Sequence, residues 1–106
     1  MDNYSLIREN WPAILNKIRL DHDLTNISYA SWLEPLIIKS VDNSSITFVV
    51  PSGIMGINVL NKKYTLAIKV AIAEITGLTL DIHYLTPDQE NRVKPPDEDS
   101  LSSVLQ

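Results

Sequence analysis

Apolar residues recur with two different periods between residues 6 and 85, and that change of period is what most limits the fold. From Leu6 to Leu20 the residues Leu6, Ile7, Trp11, Ile14, Leu15 and Ile18 recur at steps of three and four, which predicts one apolar face on a helix. A longer stretch of the same kind opens at Pro51-Ser52 and runs to Thr76, carrying Ile54, Ile57, Leu60, Tyr64, Ile68, Ala71, Ile72 and Ile75. Between these stretches Ile46, Phe48 and Val50 alternate with Thr47 and Val49. After them Leu78, Leu80, Ile82 and Tyr84 alternate with Thr79, Asp81 and His83. A period of two puts one face of a strand in the core and one in water. Helices and strands with one apolar face each bury it by packing helices onto a sheet, so the expected class is α+β.

Local signals fill in the order. Asn26 or Ser28 caps a short second helix with Tyr29, Trp32 and Leu33 on one side, and Pro35 stops it. Leu36 to Val41 reads as a strand, Asp42-Asn43-Ser44 as a turn, and Ser45 to Val50 as the return strand of a hairpin. Gly77 is a C-terminal stop for the long helix. Pro12 leaves two readings of the first helix. Either it starts near Asn10 with Pro12 in its first turn, or an earlier turn leads in through a kink. The order is helix, helix, strand, strand, helix, strand, with helices on a three-stranded sheet.

From Thr86 the composition changes. Asp88, Glu90, Asp97, Glu98 and Asp99 face only Arg92 and Lys94, and Pro87, Pro95 and Pro96 interrupt regular structure. So few apolar residues bury too little surface to offset the entropy of ordering. The body is therefore expected at 1–85, with 86–106 an acidic, proline-containing disordered linker or tail. A short docking motif around Ser100 to Leu105 is the other reading of its apolar residues.

Composition narrows the functional classes. Cysteine is absent, which excludes disulfides, thiolate catalysis and cysteine-based zinc sites. The formal charge of −4 argues against a basic nucleic-acid clamp and a polybasic membrane binder. The N-terminus has no signal-peptide core and no window reaches the roughly 20 apolar residues of a membrane span, so a cytoplasmic protein with no membrane contact is expected. His22 and His83 have no metal-ligand spacing, no catalytic triad can be assembled, and no phosphate-binding loop is present. The reading is of a non-enzyme without cofactor or metal.

Two features point to binding instead. Gly53-Ile54-Met55-Gly56 is a G-x-x-G sequence at a helix start, of the kind that clamps nucleic-acid backbones in KH domains. Its middle residues are apolar rather than basic, so the glycines read as relaxing a tight turn. Ile54 and Met55 beside Ser52 and Asn58 would then be exposed apolar residues of a protein contact. Trp11 and Trp32 read either as core residues or as interface anchors.

The ordered set of motifs adds a resemblance. Trp11 with Ile14, Leu15 and Ile18 comes first. Tyr29-x-x-Trp32-Leu33-x-Pro35-Leu36 follows, then a hairpin and Val50-Pro51-Ser52. Leu60-x-x-Lys63-Tyr64 with Ile68 and the Gly77 turn complete the set. This resembles the N-terminal domain of the bacterial replication initiator DnaA, over about Leu6 to Leu85, with the tail resembling the start of that family's linker. The resemblance implies a KH-like α-α-β-β-α-β fold and a protein-interaction role in DNA replication initiation. Its implied partners are the replicative helicase, initiation regulators, and a second copy in a weak homo-oligomer, with weak single-stranded DNA contact besides. Carried over by position, the partner surface falls on Ser28, Ser31, Trp32, Ser52, Ile54 and Met55, and self-association on the first helix at Trp11. Family members often carry Phe where Ile54 stands, an acid where Ser28 stands and Trp where Asn58 stands. This chain therefore offers less contact area and one charge fewer. The alternative function is a KH-like single-stranded nucleic-acid-binding module, supported by Gly53-x-x-Gly56 and the nearby Lys62, Lys63 and Lys69.

Overall fold

Asp2 caps the first helix. Its Oδ1 accepts the Ser5 backbone N–H at 2.8 Å, and that bond holds the carboxyl below the usual carboxylate range. The computed structural model describes residues 2–92. Within them α1 runs over Asn3–Asp21 as one helix with Pro12 inside it, so the earlier start is the one the chain adopts. Pro12 has no N–H to donate to the Arg8 carbonyl, a loss the helix sustains because Ile7, Ile14, Leu15 and Ile18 are buried on its inner face. His22 ends α1, donating its backbone N–H to the Ile18 carbonyl at 3.1 Å.

Thr25, rather than Asn26 or Ser28, caps the second helix. Its Oγ1 accepts the Ser28 N–H at 3.0 Å. The helical turn α2 (Asn26–Ser28) continues directly into a π turn (Tyr29–Leu33), and Glu34 closes it ahead of Pro35. Leu33 is fully buried, while Tyr29 and Trp32 pack half-buried against the core.

The hairpin pairs β1 (Ile37–Val41) antiparallel to β2 (Ser45–Val49), with the register shifting between Ile38 and Ser40. Asp42 builds the turn: its Oδ1 accepts the N–H groups of Ser44 and Ser45 at 2.9 and 2.7 Å. Those two bonds lower its pKa. β3 (Asp81–Leu85) lies parallel to β2 in the order β1-β2-β3, and it starts later than the alternation from Leu78 suggests. A parallel neighbour needs a long crossover. The helical stretch between residues 53 and 76 supplies it, made of α3 (Gly53–Val59), a second π turn (Leu60–Tyr64) and α4 (Thr65–Thr76). Gly77 stops it at φ +80°.

The π turn has a geometric reason. Among the buried positions on this stretch, Gly56, Leu60, Tyr64, Ile68 and Ile72 recur four apart, with Ala67 and Ala71 buried beside the last two. In a pure α-helix, at about 100° per residue, that row would rotate off the core by roughly 160° from first to last. One extra residue in a wider turn reduces the drift to about 60°. Thr65 satisfies the widened turn, its backbone N–H and its Oγ1 both donating to the Leu60 carbonyl, the latter at 3.1 Å. Thr65 Oγ1 and the Tyr84 hydroxyl of β3 share a hydrogen bond at 2.7 Å, which ties the turn to the sheet.

The core lies between α1, α4 and the sheet, with Ile14, Ile18, Ile46, Phe48, Leu60, Ile68, Ile72 and Leu80 almost wholly excluded from water. Across the top, Lys17 Nζ bridges Glu74 of α4 at 2.9 Å and Asp21 at 3.0 Å. Val49 is buried as well, on the sheet's other face. Its row neighbours there are Ile37 of β1 and Leu85 of β3, so the central strand is shielded from both sides. The described chain then continues past Leu85. Thr86 and Gln89 form a reciprocal capping box, with N···O distances of 2.9 and 3.0 Å, that opens α5 (Pro87–Arg92). Of the tail expected over 86–106, residues 93–106 lie outside the described residues. No helix among the described residues is long and apolar enough to cross a membrane.

Candidate protein-interaction surface

The start of α3 is built by two glycines with different tasks. Gly53 sits at φ +73°, the left-handed region that a side chain opposes, and its N–H donates to the Val50 carbonyl at 2.9 Å. Gly56 is needed for space: a Cβ there would collide with Ser52 Oγ and approach Val50 Cγ1 within 2.9 Å. The G-x-x-G pattern is thus accounted for by a tight turn and a close packing contact. Between the glycines, Ile54 and Met55 project into solvent, 59% and 71% exposed, and Ser52 beside them is exposed too.

The other carried-over residues occupy the second helix. Ser31 is exposed and Ser28 half-buried, while Trp32 is half-buried against the core. Ile27, absent from the sequence reading, is 78% exposed at the start of α2 and adds an apolar side chain to that helix. No periodicity could have marked it, because a single helical turn is too short to define a face. Trp32 has part of its side chain packed on the core and part in water.

Trp11 lies on a third region. Its ring is 5.2 Å from Phe48, tilted by 36°, so one side is anchored in the core. The remainder lines a groove of about 440 Å³ between α1 and β1, walled by Tyr4, Arg8, Pro12, Leu36, Ile37 and Ile38. Ile37, on the strand read from Leu36 to Val41, is half-exposed there. The structure therefore brings Ser52, Ile54 and Met55 together on one turn and Ser28, Ser31 and Trp32 on one helix, and places Trp11 apart in its own groove. Among the described residues no group of three or more His, Asp or Glu side chains could hold a metal ion.

Over 88 residues the chain is 33% identical to the chromosomal replication initiator protein DnaA of Lachnoclostridium phytofermentans, a match covering 80% of this chain. The chain is related to the N-terminal domain of DnaA. It spans 19% of that relative's length. No family model matches the sequence. The element order observed is the α-α-β-β-α-β order that the DnaA resemblance implies, extended by α5. At Ile54, where the resemblance implies Phe, a smaller apolar side chain stands 59% exposed. At Ser28, where an acid is frequent in DnaA, no charge is present and the backbone N–H is engaged by Thr25. Of the lysines beside the G-x-x-G turn, Lys69 is committed to Asp81 at 3.2 Å while Lys62 and Lys63 are exposed.

Proposed function

We propose that this chain is the interaction domain of a chromosomal replication initiator, and that it is not an enzyme. A partner, the replicative helicase or an initiation regulator, meets Ser52, Ile54 and Met55 at the start of α3 together with Ser28, Ser31 and Trp32 on the second helix. Weak self-association runs through Trp11. The observation that carries this reading is the exposure of Ile54 and Met55 on a turn closed by the Gly53 N–H to Val50 carbonyl bond and by the close packing at Gly56. Two apolar side chains fixed in water at one spot are pre-organised for an apolar pocket, which lowers the entropy lost on docking. The relation to DnaA supports the same assignment. A domain this small presents limited area, so the contacts are transient in kind.

The test is a titration of the isotope-labelled chain with the helicase of its own organism, read amide by amide. Shifts concentrated on residues 28–32 and 52–55, and lost in Ile54→Asp, are the expected result. Binding unchanged by Ile54→Asp overturns the assignment of that turn. Tight, steeply salt-dependent oligonucleotide binding centred on Gly53 to Lys63, without any helicase or regulator response, would replace it by the nucleic-acid reading.

A further inference from the structure

Sheet register brings the place where the chain leaves the domain close to the groove at Trp11. Leu85, the last residue of β3, stands in one row with Val49 and Ile37, and Ile37 forms a wall of the groove. Two strand spacings, one residue and the length of α5 put Arg92 no more than roughly 23 Å from Ile37. Residues 93–100 can extend over roughly 26 Å. Whatever follows Ser100 therefore reaches the groove without strain.

The groove and that segment match chemically. Trp11, Pro12 and Ile37 offer apolar surface, and Arg8 stands at the rim with no ion-pair partner among the described residues. The Arg8 carbonyl also lacks its helical donor, because Pro12 has no N–H. In the sequence, Asp97-Glu98-Asp99 is followed at once by Leu101, Val104 and Leu105, with Ser100, Ser102 and Ser103 among them. Acids suit Arg8, the apolar residues suit the walls, and a serine hydroxyl can donate to the open carbonyl.

We propose that residues 99–105 dock in cis in the groove between α1 and β1. The segment covers the free side of Trp11 and so competes with a second copy of the chain for the same surface. That consequence rests on the self-association reading above, whereas the docking itself does not. Tethering gives the segment an effective concentration on the order of millimolar, so a contact too weak to persist between separate molecules is populated within one.

The experiment uses the full chain. Indole and amide signals are compared between the native sequence and a triple variant, Leu101→Ser, Val104→Ser and Leu105→Ser, at several protein concentrations. Expected are shifts at Trp11 and Ile37, none at Trp32, and the same difference on dilution. Arg8→Glu and raised salt should each move the native spectrum toward that of the variant. Unchanged Trp11 and Ile37 signals overturn the proposal. Shifts that vanish on dilution also overturn it, assigning the segment to a neighbouring copy, and so do shifts that appear elsewhere. Sedimentation of the same samples separates the two readings. If Trp11 and Ile37 shift but association is no tighter in the triple variant, docking stands and the self-association role of Trp11 fails.

Discussion

In the opening turn of α3, Ile54 and Met55 stand mostly in water, whereas Ile68 and Ile72 of α4, in the same helical stretch, are fully buried. Both ends carry β-branched and unbranched aliphatic residues at helical spacing. The difference comes from what lies across from them. α4 packs against α1 and is pinned at its ends by Lys17–Glu74 and by Tyr84–Thr65. The start of α3 is held instead through its backbone and its glycines, which leaves its side chains uncovered. One half of the stretch supports the domain, and the other half presents side chains from it.

Substitutions sharpen this contrast in graded steps. Ile68→Ala or Ile72→Ala should lower the unfolding free energy by about 2–5 kcal/mol in urea titration, since each leaves a cavity in a closed core. A loss as small as that at Ile54 would break the comparison. Gly56→Ala should cost about 1–3 kcal/mol by thermal melting, because Val50 and Ser52 must move aside for the new methyl. Thr65→Val removes the hydroxyl that bonds Leu60 and Tyr84 and should cost about 1–2 kcal/mol, with the helix otherwise retained.

Tyr84 gives a pH test of the same joint. Burial raises its phenol pKa, and the Thr65 hydroxyl opposes that rise. The folded chain thus holds this proton more tightly than the unfolded chain. Its contribution to stability is complete below the ordinary tyrosine value of about 10 and is lost as pH rises past it toward the raised folded value. Alkaline unfolding monitored by tyrosinate absorbance should show this, and Thr65→Val should push the Tyr84 titration higher still. The smallest effect on stability is expected of Ile54→Asp, within about 0.5 kcal/mol, as for an exposed site. Partner binding should nevertheless be lost, measured by calorimetry alongside a native-like spectrum.

Much of the architecture was legible because it rests on local rules. The apolar period over Leu6 to Ile18, the turn chemistry of Asp42 to Ser44 and the stop at Gly77 each depend on a few neighbouring residues, and each is found in place. The boundaries that shifted did so where a neighbour in space took over. β3 begins at Asp81 because pairing with Ser45 begins there, with Asp81 N–H donating to the Ser44 carbonyl in addition. Of the candidate site, Ile54 and Met55 were legible as residues of a glycine-bracketed turn. Ile27, Ile37 and the groove at Trp11 were not, because exposure depends on which surface faces a residue and not on its own period.

Sequence alone determined the class, the order of elements and the residues that alternate or repeat, since these follow from steric preferences and from burying one face of each element. Tertiary structure decided which apolar residues found a partner. It also placed the π turn that keeps residues 56–72 on the core, set β3 parallel to β2, and closed the row Ile37–Val49–Leu85. Those choices depend on contacts between residues far apart in the chain. Whether Ile54 or Ile68 is covered is a property of the packed whole, because the two side chains are chemically the same.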